Sequence, residues 1–340
     1  MTQTKTFKRR QFLRIIGASS VAGLAAFMLD RADRPQNSLE VVTETRLLMG
    51  TVVNLTLVTS DRQAGQAAIQ TCLQQMVALE AILSRYQPSS QLSCLNRNGF
   101  LKAANPHLLN VERAAQQISE LTGGAFDVTV KPLVDLYQNC LGTERRLPPA
   151  SSLASALQLV GFRNLYVEES EVWFSKKGMG VTLDGIAKGY VVDQGLAILR
   201  QQGFSNVMVE AGGDLSVAGT KAPDTLWRIG IQAPRDTGAT LLHTFSITNQ
   251  AVATSGDYRQ SYTDDFAVYH IFDPRTGRCA PKLASATVVA ETGVIADALA
   301  TALMVMGPEQ GLSLIESIPS CEAYLIGKHL EIWHSSGFPV

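Results

Sequence analysis

Two hydrophobic periods take turns along this chain. Val41–Thr45 and Thr51–Val58 alternate apolar and polar residues on either side of Met49-Gly50, which predicts a β-hairpin. The period then changes. Across Gln63–Leu83 the apolar residues fall at Ala64, Ala67, Ala68, Cys72, Met76, Leu79, Ile82 and Leu83, a helical spacing that Tyr86-Gln87-Pro88-Ser89-Ser90 breaks. A second helix is predicted from about Leu108 to Leu121, stopped by Gly123-Gly124. Gly142 to Ser151 reads as a polar, Pro-rich insertion before a short helix, Ser152–Val160. Strands are predicted at Leu165–Val167, Val172–Phe174 and Val181–Leu183, then a helix at Ile186–Gln202. Six further strands follow in prediction: Val207–Val209, Leu215–Ala218, Trp227–Gln232, Leu242–Ile247, Ala251–Thr254 and Tyr269–Phe272. A helix at Ile295–Met306 and the strand pair Glu322–Ile326 and Leu330–Trp333 close the chain. The connections are short, which favours antiparallel pairing, and no repeat of 20–50 residues is visible. The pattern predicts an α+β fold of largely antiparallel sheets with packed helices, not an alternating βαβ chain.

Composition narrows the class only a little. The 340 residues are 46% apolar with a net charge of −1, enough to bury a full core and without the charge excess that nucleic acid would call for. The N-terminus is more telling. Lys8-Arg9-Arg10-Gln11-Phe12-Leu13-Arg14 precedes an apolar run, Ile15 to Leu29, which is the pattern of a twin-arginine export signal. Residues 1–30 are therefore expected to be a signal and 31–39 a linker, with one domain over 40–340. The expected location is outside the cytoplasm, in the periplasm or on the extracytoplasmic face of the membrane. Cleavage is expected near residues 26–32; an uncleaved segment would associate the protein with the membrane. The five cysteines lack Cys-x-x-Cys spacing and read as buried free thiols.

Several short blocks carry chemistry. Residues 181–190, Val-Thr-Leu-Asp-Gly-Ile-Ala-Lys-Gly-Tyr, place a glycine and Lys188 where a helix begins, a setting that suits a phosphate. Asp297 and Thr301 lie four apart on one predicted helix face. Their oxygens suit Mg²⁺, although an Asp facing the helix dipole and a Thr bonded to its own backbone make the same pattern. Ala125-Phe126-Asp127 follows the double glycine; it reads as a core Phe with a turn Asp, or as a carboxylate for ribose or base edges beside a Phe that packs on an aromatic ring system. His270 enters the turn Asp273-Pro274-Arg275-Thr276-Gly277 and is a candidate general base, with Asp257 as second base or orienter. Glu210-Ala211-Gly212-Gly213-Asp214 lacks the Gly-x-Gly-x-x-Gly spacing and a following helix, so a dinucleotide fold is excluded there.

Taken in order, Leu48-Met49-Gly50-Thr51, Gly123-Gly124-Ala125-Phe126-Asp127, the 181–190 block, His270-Ile271-Phe272-Asp273-Pro274-Arg275-Thr276-Gly277 and Ala296-Asp297-Ala298-Leu299-Ala300-Thr301 resemble the ApbE family of FAD:protein FMN transferases, from about Arg46 to Gly307. The resemblance implies a T-fold-related flavin transferase domain. It implies Mg²⁺ on Gly185, Asp297 and Thr301, and FAD as substrate against Met49, Tyr86, Ala125, Phe126, Asp127, Thr182, Asp184, Lys188 and Ile271. Catalysis falls to His270, Asp257 and Lys188. The reaction it implies moves FMN from FAD to a Ser or Thr hydroxyl of an acceptor flavoprotein subunit of an electron-transfer system, releasing AMP. An FAD pyrophosphatase and a non-catalytic exported flavin-binding protein are the competing readings. One departure stands out: relatives usually carry Asp at the position of Thr182, and here the carboxylate comes two residues later, at Asp184. Thr237-Gly238-Ala239-Thr240 resembles part of an acceptor motif but lacks its leading Asp, and reads as a connection between strands.

Overall fold

A computed structural model describes residues 38–142, 146–236 and 240–339. The export signal, nearly all of the linker, residues 143–145 of the insertion and Thr237-Gly238-Ala239 lie outside the described residues.

The opening hairpin pairs β1 (Glu40–Leu48) with β2 (Thr51–Thr59) in one register, Leu48 opposite Thr51. Helix α1 (Arg62–Leu83) begins at Asp61, whose carboxylate accepts from the Ala64 amide at 2.9 Å. Next come α2 (Gln91–Asn98), capped by Ser90, the short β3 (Phe100–Leu101) and α3 (Pro106–Leu121), capped by Asn105 with proline in its first turn. Helices α4 (Lys131–Gly142) and α5 (Ala150–Leu157) precede β4 (Leu165–Val167) and β5 (Val172–Phe174), which pair with β3 in a small sheet. Helix α6 (Ala187–Gln201) leads into β6 (Val207–Ala211) and β7 (Asp214–Ala218). The ribbon β8 (Trp227–Gln232) and β9 (Leu241–Ile247) is followed by β10 (Ala251–Gly256) and β11 (Leu283–Ala290). Helix α7 (Gly293–Glu316), then β12 (Glu322–Gly327) and β13 (Ile332–His334), complete the described chain.

One eight-stranded sheet, in the order β1-β2-β6-β7-β10-β11-β12-β13, is the frame, and every neighbour in it is antiparallel. Helices α1, α6 and α7 pack on one face. On the other, Trp227, Ile229, Phe245 and Ile247 of the β8–β9 ribbon close a second core with Val217, Val252, Val289 and Ile326. The central strands β7 and β11 are consequently buried on both sides. Helix α7 is long and apolar enough to cross a membrane by length and composition alone, but its apolar residues are spent on the core between sheet and helices.

The structure corrects several expectations. Val181–Leu183 is extended but belongs to no sheet. The Asn96 side chain instead clamps it, accepting from Val181 N at 2.7 Å and donating to Val181 O at 2.9 Å. Tyr269–Phe272 is a buried loop, tied down by the Tyr269 hydroxyl donating to Ala280 O at 2.8 Å. The expected helix end at Met306 stands: Gly307, at φ 76°, breaks the helix there, and Pro308 begins a second helical segment, so α7 is two segments joined at a kink.

Candidate active site

Every predicted site residue except Asp257 lines one cavity of about 600 Å³, a size usual for a cofactor-sized ligand. Several segments build it. Met49 sits at φ 52° and Gly50 at φ 70° in the tight β1–β2 turn, so a bulky side chain occupies a left-handed position normally left to Asn or Gly, and it faces the cavity. The turn just after α1 contributes Arg85 and Tyr86, with the guanidinium 4.4 Å from the tyrosine ring centre. Gly123 and Gly124, both at positive φ, turn the chain into Ala125, Phe126 and Asp127. The clamped 181–186 strap brings in Thr182, Asp184 and Gly185. Helix α6 and helix α7 supply Lys188, Asp297 and Thr301.

Close contact between α6 and α7 sets the polar residues of this wall. A Cβ on Gly189 would lie 2.0 Å from the Gly293 carbonyl oxygen, so only glycine permits this crossing. Asp193 of α6 then caps α7, accepting from Gly293 N at 2.7 Å and Val294 N at 2.9 Å. One turn further, Asp297 faces the start of α6 and accepts from Gly189 N at 3.0 Å, with Lys188 Nζ 3.5 Å away. Lys188 also forms a close ion pair with Asp214, which is 1% exposed. Burial alone lowers the ammonium pKa, but Asp214 and Asp297 outweigh it and hold Lys188 charged. Burial drives Asp297 above the usual carboxylate range, opposed by Lys188.

Thr301 lies one turn after Asp297, and its hydroxyl is 3.0 Å from that of Ser255. The backbone at Gly185 runs against it: a Cβ there would fall 2.8 Å from Thr301 Oγ1. These residues thus present a carboxylate, a hydroxyl and a close backbone segment along one wall. Among the described residues no group of three or more His, Cys, Asp and Glu gathers. A sparse set of hard oxygens fits Mg²⁺, which keeps waters and takes phosphate oxygens from its substrate.

His270 is half-buried on the same wall. Its Nδ1 is 3.2 Å from the Gln260 carbonyl, which can only accept, so Nδ1 carries the proton and Nε2 of the neutral ring is the free acceptor. Burial lowers its pKa, with the Gln260 bond and Asp184 opposing. The ring is neutral near pH 7 and suited to take a proton.

Two predicted roles change. Asp257 is fully buried away from the cavity, bound by both oxygens to Arg235 at 2.7 and 2.8 Å and lying 3.1 Å from Lys328. A carboxylate so engaged anchors the β10 end and is no base. Asp257→Asn is expected to cost about 3 kcal/mol or more of stability, since two part-buried cations lose their partner. Urea unfolding measures this, and a midpoint equal to the parent's would refute the anchoring role. Asp127 lines the cavity, yet its oxygens accept from Thr129 N, Thr129 Oγ1 and Phe162 N at 2.7, 2.6 and 2.8 Å. It shapes the turn that exposes the neighbouring backbone, leaving no free carboxylate for ribose.

Thr182 and Asp184 both reach the cavity, but differently. Thr182 is 7% exposed, whereas the Asp184 carboxylate is partly open and bound to Arg85 at 2.7 Å. The wall also includes Arg85, Ser255, Arg259 and Gln260, which the sequence does not single out; a single chain offers no signal that marks a turn Arg or Ser as cavity-facing.

Comparison with known proteins gives a consistent result. The profile of the ApbE family matches residues 49–325. The FAD:protein FMN transferase of Vibrio cholerae serotype O1 is 33% identical over 307 residues, covering 87% of this chain and 90% of that protein. The solved structure of the flavin transferase ApbE from Vibrio cholerae superposes with a TM-score of 0.76 at 31% identity, over 88% of this chain and 99% of the other. The ApbE protein of Thermotoga maritima gives a TM-score of 0.79 at 29% identity, over 88% of this chain and 98% of its own.

Proposed function

The chain belongs to the ApbE family and transfers FMN from FAD to an acceptor protein, and we propose that it does so with Mg²⁺ by attack of an acceptor Ser or Thr hydroxyl on the FAD diphosphate. The observation that carries this reading is the shared wall of Asp297, Thr301 and Gly185 beside Lys188 and His270. Bound there by Asp297, Thr301 and the Gly185 backbone, Mg²⁺ would neutralise charge on the diphosphate oxygens.

The protein's own residues do the rest. Met49, Tyr86 and Phe126 offer apolar and aromatic surface for the flavin ring. Lys188, held charged by Asp214, adds fixed positive charge. His270 Nε2 takes the proton from the acceptor hydroxyl as its oxygen bonds to the FMN phosphorus. The phosphoanhydride bond breaks, and AMP leaves with the electron pair. The expected acceptor is a flavin-carrying subunit of an electron-transfer system outside the cytoplasm, in keeping with the export-type N-terminus.

Incubation with FAD, Mg²⁺ and a candidate acceptor, followed by intact mass, tests the reading. A gain of one FMN on the acceptor, lost on chelation, supports it. Rapid release of free FMN and AMP whether or not acceptor is present would favour a pyrophosphatase instead. The pH profile tests the base. Activity should fall on the acid side with an apparent pKa below the ordinary histidine value. His270→Gln should lower turnover about 10²- to 10⁴-fold and remove that limb. A variant that keeps the acid limb would exclude His270 as the base.

A further inference from the structure

We propose that Arg259 is the side chain that recognises the diphosphate of FAD, and so separates FAD from flavins that lack it. The inference rests on the reading of this cavity as the FAD site. Three permanently cationic side chains line its wall: Arg85, Lys188 and Arg259. The first two are already compensated. Arg85 donates to Asp184 at 2.7 Å, and Lys188 is tied to Asp214 with Asp297 at 3.5 Å. Arg259 forms no ion pair with a carboxylate within 4.0 Å among the described residues. The nearby Glu210 carboxylate is occupied elsewhere, accepting from the Asn54 amide and from Gly213 N. The substrate diphosphate brings two negative charges to this wall; among the described residues Arg259 is the lining cation with no carboxylate ion pair to break, its charge being felt by Glu210 without direct contact.

Its position is built, not incidental. Arg259 stands in the turn after β10, its backbone N–H donating to Gly256 O at 3.3 Å and its guanidinium 5.7 Å from the Tyr258 ring centre. The Gly212-Gly213 turn lies directly against it. Gly213 has φ +100°, and a Cβ there would fall 2.7 Å from Arg259 Nη2. The Gly-Gly-Asp block thereby serves the site twice, since its second glycine leaves room for the guanidinium and its Asp holds Lys188. Arg259 shares the cavity wall with Lys188 and His270, and its charge lowers the pKa of both. A planar guanidinium can grip two phosphate oxygens at once, which a lysine cannot.

Flavin-fluorescence titration without divalent cations tests this, using FAD and riboflavin as the two probes. Arg259→Gln is expected to weaken FAD binding about 10- to 100-fold and leave riboflavin binding unchanged. Arg259→Lys should recover part of the loss. Equal weakening for both flavins would show a structural role and overturn the proposal, as would unchanged FAD affinity. Melting curves of both variants confirm that the fold is retained. Because the readout is binding, it stands apart from FMN transfer: a parent protein that transfers no FMN but binds FAD through Arg259 would fail the reaction reading and leave this one intact.

Discussion

Asp297→Ala is expected to abolish FMN transfer, by at least about 10³-fold, while the protein stays folded. The residue is 2% exposed at the α6–α7 contact, yet among the described residues its Oδ1 meets only Lys188, at 3.5 Å. That oxygen therefore keeps lone pairs aimed at the cavity, where Mg²⁺ on this wall would need a charged ligand. Loss of a metal carboxylate removes several kcal/mol of charge stabilisation from the phosphoryl-transfer step. Two effects then compound. Lys188 keeps Asp214 but loses the second carboxylate, so the wall becomes more positive and repels the metal further. The Gly189 amide, which Asp297 accepts at 3.0 Å, also loses its partner. That second loss costs roughly 1–2 kcal/mol of stability, small against a domain of this size. Asp297→Asn separates the two effects: the amide bond is restorable, the charge is not. Both variants should melt near the parent and transfer no FMN at saturating Mg²⁺. Transfer at a parental rate by Asp297→Ala would remove Asp297 from the machinery.

How far the sequence discloses this molecule depends on whether a segment faces water on one side. Helix α1 is legible because one face is exposed, and the β1–β2 hairpin because its edge strand alternates. Strand β11 is not. All eight of its residues are buried, so the sheet core erases the alternation, and its three alanines dilute the β signal of Thr287, Val288 and Val289. Helices α2 and α4 escape the pattern for other reasons. The first is short and polar, declared only by Ser90 as its cap; the second starts at a lysine and a proline straight after a three-residue turn. The false strands at Val181–Leu183 and Tyr269–Phe272 are apolar and extended, but their hydrogen bonds go to side chains and loops, which no local pattern reveals.

The site shows the same division. Asp297 and Thr301 can be placed on one face from spacing alone, and the structure puts both on the cavity wall. Asp257 and Asp127 cannot be understood that way. Their partners come from 22 and 35 residues away, so only the fold shows that Arg235 and the Phe162 amide have taken their oxygens. The Arg85–Asp184 pair spans 99 residues and is equally invisible in sequence.

Glu112→Leu is expected to stabilise the protein, and more so as pH rises. Glu112 lies on α3 with 0% exposure, and among the described residues neither carboxyl oxygen has a hydrogen-bond partner. Burial, with a lesser contribution from the charge of Asp127, raises its pKa to about 8. The folded state therefore holds a proton that the unfolded chain, with an ordinary pKa near 4.5, releases. Stability is full below pH 4.5, falls as pH rises through the interval, and levels off above about 8, for a total loss of up to roughly 5 kcal/mol. Leucine has a similar volume and brings neither the proton nor the unpaired oxygens. Urea unfolding of parent and variant at pH 5 and pH 8.5 decides the matter. The gain from Glu112→Leu should be modest at pH 5 and larger by several kcal/mol at pH 8.5. Glu112→Gln should flatten the pH dependence in the same way but gain less, because its amide remains unpartnered. An equal gain at both pH values would mean that Glu112 does not titrate in this range. A loss of stability at both would mean that its carboxyl is satisfied in solution, contrary to the packing around α3.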